Sequence, residues 1–334
     1  MSQSSSYGPG QTLAVHCAAD MIVSAGANEG DGLSFAEDLE LGDVYRLKAT
    51  ARTHRLTLAR GKNRGFRITD NSEVGTPGAE IHLDCAMTLM SPDAPVTEVI
   101  VLVQLNDAGA VRETFALPLA PLIPQADYQL VGIDTSRTAE KIAQIACVSF
   151  ARGTHITMGS GRQKRIEELQ PGDPVLTRDD GVQQVRWIGR STQRAVGDFA
   201  PIRIQAGVLN NTNDLIVSPN HRLFIYQRTD RVGAGRSELL VKARHLVNGQ
   251  TVTVMQGGFV DYHQLLFDTH QIIYAEGIAA ESMLADDRTA PMLSPEASQR
   301  IGPHDASRLD IFDVPESLLD RPDMAALLRK ASLR

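Results

Sequence analysis

Between residue 12 and about residue 130 the apolar positions fall in short runs, at 44–50, 55–59, 65–69, 80–90, 98–105 and 111–117. Runs this short, rich in Val, Ile, Leu, Thr and Phe and bounded by turn residues, predict strands. The turns are written at Gly61-Lys62-Asn63-Arg64-Gly65, Thr76-Pro77-Gly78, Ser91-Pro92-Asp93 and Asn106-Asp107-Ala108-Gly109, the last suited to a hairpin. An all-β, sandwich-like domain of antiparallel strands over 11–134 is the expectation. Pro118, Pro121 and Pro124 punctuate its end, and residues 135–145 carry helical spacing with Ser136 or Thr138 as a cap. That helix is the expected connector.

The pattern from 146 to 285 is again β. Short runs at 152–157, 174–177, 182–188, 202–205, 215–217, 222–226, 239–242, 251–255, 262–267 and 271–274 alternate with Gly, Pro and Asp turns, and Ile166-Glu167-Glu168-Leu169 reads as one helical turn. Residues 1–10, of Ser, Gly and Tyr with one Pro, read as a loose leader. Over 286–334 the composition shifts to Ala, Asp, Pro and Ser, and a short helix is expected within 314–333 through Leu318, Leu319, Met324, Leu327 and Leu328.

The chain has 334 residues, enough for two cores. Its 33 Lys and Arg against 40 Asp and Glu give a net charge of −7, which argues against nucleic acid held on a broadly basic surface. The basic run Arg162 to Arg165 reads as a solvated loop. No apolar run reaches the roughly twenty residues of a membrane helix, and no cleavable secretory signal is visible. Three scattered cysteines, Cys17, Cys85 and Cys147, make no disulfide framework. His16, Cys17, His54, His82 and Cys85 match no zinc spacing, so neither a metal nor a cofactor is expected. A phosphate loop at the glycine-rich spots 233–235 and 257–258 is excluded, since no helix or Lys-Ser/Thr follows.

Candidate chemistry starts at Cys147, which opens CVSFARGTHIT. Ser218 and His221 follow in DLIVSPNHRLFIY, and His263, Asp268 and His270 in YHQLLFDTHQIIYAEGIAAES. Together with LQPGDPVLTRDDGVQQVRWIG, this order of residues resembles the Hint family, the shared fold of inteins and of Hedgehog autoprocessing domains, and within it the bacterial intein-like branch. The resemblance implies a β-rich, horseshoe-like domain that acts on the peptide bond before its first cysteine, so Ala146-Cys147 is the expected scissile bond. An attack by the Cys147 thiol on the Ala146 carbonyl gives a thioester, an N–S acyl shift in which proximity comes from adjacency in sequence.

The resemblance also implies roles for the other residues. Protonation of the departing amine falls to His221, and the hydroxyl of Ser218, where the family usually has threonine, polarises the Ala146 carbonyl. Asp268 matches an acidic position that exchanges the thiol proton or orients the histidine, and His270 matches a late intein histidine. An intein ends in His-Asn before Cys, Ser or Thr, whereas this chain has Glu281-Ser282-Met283, so asparagine cyclisation and splicing are not expected. The expected activity is single-turnover self-cleavage, with water or an external nucleophile accepting the acyl group. Two alternatives stand beside it: a Hint fold kept without activity as a structural or surface-binding module, and a cysteine peptidase acting on other proteins. The partner of the first domain is not legible.

Overall fold

The computed structural model describes residues 11–60, 66–106, 109–230, 232–286 and 289–293, with scattered positions from Ile301 to Leu328. The leader 1–10, the turn 61–65 and part of the 106–109 hairpin lie outside the described residues. The chain divides into two compact units, 1–141 and 142–334.

The first unit is a single antiparallel sheet. In chain order its strands are β1 (Gln11–Cys17), β2 (Met21–Ala25), β3 (Val44–Leu47), β4 (His54–Arg60), β5 (Phe66–Ile68), β6 (Glu80–Met90), β7 (Thr97–Leu105), β8 (Val111–Pro118) and β9 (Asp127–Asp134). The order β6-β5-β4-β1-β8-β7 closes where β7 pairs back to β6 from Leu89 opposite Thr97 to Ile81 opposite Gln104. Closure is possible because the 11-residue β6 shares its second edge, β5 taking the start and β9 the end. The two faces expected of a sandwich are thus supplied by one sheet that curls onto itself, with β2 left at an end of the strand order. Met21, Tyr45, Met87, Val99, Val101 and Tyr128 fill its interior. Sequence pattern missed β1, β2 and β9; in β9, Tyr128 and Leu130 are buried between exposed neighbours.

Helix α1 (Thr138–Ala146) crosses the division between the units. The second unit then holds β10 (Phe150–Ala151), β11 (His155–Thr157), β12 (Gln163–Arg165), β13 (Pro174–Leu176), β14 (Val182–Gln184), β15 (Trp187–Arg194), β16 (Ile202–Ile204), β17 (Leu215–Val217), β18 (Arg222–Tyr226), β19 (Glu238–Lys242), β20 (Val252–Val254), β21 (Phe259–Leu266), β22 (Ile272–Ala275) and β23 (Ile278–Glu281). Two six-stranded sheets, β15-β21-β10-β17-β16-β20 and β12-β11-β22-β23-β18-β19, enclose a common core that includes Phe150, Val217, Leu223, Val241, Leu265 and Ile273. Residues 163–165 of the basic run form β12, paired to β11, where a loop was expected, because Gly159 to Gly161 turn the chain back onto its neighbour. In the tail, Glu316–Leu319 is helical (α2), and Val314, Leu319, Met324 and Leu328 pack on the same core. Among the described residues no helix is long and apolar enough to cross a membrane.

Candidate functional site

The site forms where α1 ends and β10 begins. The Cys147 amide still donates to Ala143 O at 2.9 Å, so the Ala146–Cys147 peptide belongs to the helix's final turn, and Asn220 Nδ2 donates to the Ile145 carbonyl at 2.9 Å. Only beyond Cys147 does the chain straighten, with Phe150 opposite Val217 on one side and His263 on the other. Ser218-Pro219-Asn220-His221 turns between β17 and β18, closed by the His221 amide donating to Ser218 O at 3.0 Å, with proline at the position that suits its fixed φ.

Every group of this turn that was singled out in sequence lands on Ser149. The Ser149 amide donates to Ser218 Oγ at 3.0 Å, the Ser218 amide donates to Ser149 O at 2.9 Å, and His221 Nδ1 donates to the same carbonyl at 3.1 Å. From β21, Gln264 Nε2 donates to Ser149 Oγ at 2.7 Å. Ser149, Ser218, His221 and Gln264 are all buried. Gln264 fits there because its strand partner is Gly189: a Cβ on that glycine would lie 2.3 Å from Gln264 Oε1.

The electrostatics are those of a dry pocket. Burial pulls the His221 imidazole down to about 4, against the raising influence of the Glu281 carboxylate and the carbonyls of Ser149 and Glu281. His221 is therefore neutral at physiological pH; Nδ1 carries its proton toward Ser149 O, and Nε2 makes no hydrogen bond among the described residues. The ring packs edge-on against Phe150, centroids 4.3 Å apart. Burial would raise the Glu281 carboxyl, but the Arg222 guanidinium, with nitrogens at 2.7 and 2.9 Å, and a hydrogen bond from His270 outweigh it and hold the group at about 2.

The other predicted residues are placed differently. The Ser218 hydroxyl, expected on the Ala146 carbonyl, donates instead to Cys147 O at 3.3 Å. The helical turn is the reason: it carries the Ala146 peptide past the Ser218 turn before the chain extends. The Cys147 thiol is buried against Met292 Sδ at 3.2 Å and beside Leu266, Met283 and Ala285. That setting is not the accessible link expected of a scissile bond. His270 Nε2 donates to Ser282 O at 3.0 Å and lies 3.5 Å from the Glu281 carboxylate. Asp268 is exposed and ion-paired to Arg186 at 2.7 Å, a setting that does not orient a catalytic histidine. His263 is buried in β21 and lines a pocket of about 440 Å³ with Arg152, Glu167 and Arg190. Sequence reading passed over Ser149, Gln264 and the Arg222–Glu281 pair.

A family profile described as Hint domain matches residues 148–287. This segment is a Hint domain. The match begins at Val148, after Cys147 and one residue before Ser149. The chain is also similar to two solved structures, the gp41-1 intein (14% identity, TM-score 0.25) and the MchDnaB-1 intein (11%, TM-score 0.26), each match covering 40% of this chain and 97% and 98% of the intein chain. No curated protein matches this chain.

Proposed function

We propose that the Hint domain is a single-turnover self-processing unit and that it acts at the Val148–Ser149 peptide bond by an N–O acyl shift. The observation that carries the reading is the convergence of Ser218, His221 and Gln264 on the amide, carbonyl and hydroxyl of Ser149. Ser149 Oγ attacks the adjoining Val148 carbonyl carbon through a five-membered ring; the Oγ–C bond forms, the C–N bond breaks, and an ester and a free amine result. The proton that Oγ loses balances the one the nitrogen gains. Ser218 already touches that nitrogen and is positioned to relay the proton, while His221 fixes the Ser149 carbonyl and keeps an open basic nitrogen in the pocket. Gln264 orients the nucleophile. The ester then passes to water or to an external nucleophile, since Glu281-Ser282-Met283 supplies no asparagine to cyclise. The rival within the same function is thioester formation by Cys147 at Ala146.

Intact-mass analysis of the full chain, with and without hydroxylamine or dithiothreitol, separates these. Cleavage giving 1–148 and 149–334, abolished by Ser149→Ala and retained by Cys147→Ala, is the expected result. Products ending at Ala146, lost in Cys147→Ala, overturn it in favour of the thioester. A chain that stays uncut under both nucleophiles supports the non-cleaving structural module.

A further inference from the structure

In the first unit, Cys17, Asp20 and His54 each offer a ligand atom, and the three atoms lie within 4.8 Å of one another. The arrangement follows from the fold. Cys17 ends β1 and His54 begins β4, and these strands pair with Val15 opposite His54. A single 3-10 turn, Ala18–Asp20, follows Cys17. With three residues per turn, it returns Asp20 to the side of the strand end that Cys17 occupies. The pattern Cys-x-x-Asp with a histidine 34 residues on from Asp20 has no template in sequence, which is why only the folded sheet reveals it.

We propose that Cys17, Asp20 and His54 bind one divalent transition-metal ion, with zinc the best match, through one sulfur, one oxygen and one nitrogen. The donor set is of the mixed S, N and O kind that suits a borderline-soft ion rather than magnesium or calcium. Metal bonds of about 2.0–2.3 Å in a tetrahedron set ligand atoms roughly 3.3–3.8 Å apart. Side-chain rotations of about 1 Å bring the three atoms from their present spacing to that one. Among the described residues none of the three side chains is engaged in a hydrogen bond or salt bridge that metal binding would break. The carboxylates of Asp20 and Glu113 stand near Cys17, and their charge favours a divalent cation there. Binding releases the thiol proton to solvent and forms the metal–sulfur bond. All three residues are half-buried, which leaves the fourth position to water.

The test uses the full chain, stripped with a chelator and titrated with Co2+ alone. Expected are a near-ultraviolet thiolate-to-cobalt band and visible bands of a tetrahedral ion, saturating at one equivalent and displaced by Zn2+. Cys17→Ser removes the near-ultraviolet band, and His54→Gln or Asp20→Asn weakens affinity at least about 100-fold, more than loss of an outer partner does. Cys85→Ala and Cys147→Ala leave the spectrum unchanged. A spectrum without a saturable band, one that survives Cys17→Ser, or one that disappears in Cys147→Ala overturns the site. Should a ligand variant fail to fold, alkylation of the wild type decides: Zn2+ must slow modification of Cys17, and an unchanged rate overturns the proposal.

Discussion

The buried pair Arg222–Glu281 lets one energetic consequence be worked through. Glu281→Gln keeps the size and one acceptor but removes the charge that faces the guanidinium at 2.7–2.9 Å. The Glu281 carboxyl moves from 4.5 to about 2 on folding. At 1.36 kcal/mol per unit this corresponds to about 3 kcal/mol of stability. Independently, breaking a buried ion pair from one side costs about 3–5 kcal/mol. The two figures agree, so a loss of about 3 kcal/mol at pH 7 is expected. Because the folded value is depressed, the contribution is complete above pH 4.5 and disappears as pH falls toward 2. Urea unfolding of wild type, Glu281→Gln, Arg222→Met and the double variant measures it. The double variant should recover much of the loss, since neither charge is then buried alone. A single-variant loss below about 1 kcal/mol, or strict additivity in the cycle, would refute the reasoning.

Other expectations are more local. His221 is held at about 4 against an ordinary 6.5, so protonation favours the unfolded chain: stability is unaffected above pH 6.5 and falls by up to about 3 kcal/mol as pH drops to 4. In His221→Gln, urea midpoints across that window should lose this slope. Gly189→Ala forces a methyl to within 2.3 Å of Gln264 Oε1 and 2.4 Å of the Trp187 ring, and should cost about 1–3 kcal/mol while slowing cleavage through displacement of Gln264 from Ser149; a cleavage rate equal to wild type in intact-mass time courses would count against the role given to Gln264. Asp268→Asn removes only an exposed pair with Arg186, so both the urea midpoint and the cleavage rate should stay at wild-type values. A sharp fall in cleavage there would return Asp268 to the chemistry.

Short apolar runs between turn residues sufficed to define an all-β fold class, since strand patterning and turn chemistry are local properties of the residues themselves. The order of Cys147, Ser218 and His221 likewise pointed to a Hint domain, and the Ser-Pro-Asn-His turn enters the site proposed for it. The partner of that turn was beyond local pattern. Which residue faces Ser218 depends on where α1 releases the chain, and the helix holds the Ala146–Cys147 peptide in its last turn, so Ser149 arrives opposite the hydroxyl. Gln264 and Glu281 entered for the same reason: the pairing of β21 with β10 and of β23 with β18 brings them from more than 100 and 59 residues away. Strand register, settled by burial of one face across the whole sheet, decided those meetings, and no stretch of sequence carries that information by itself.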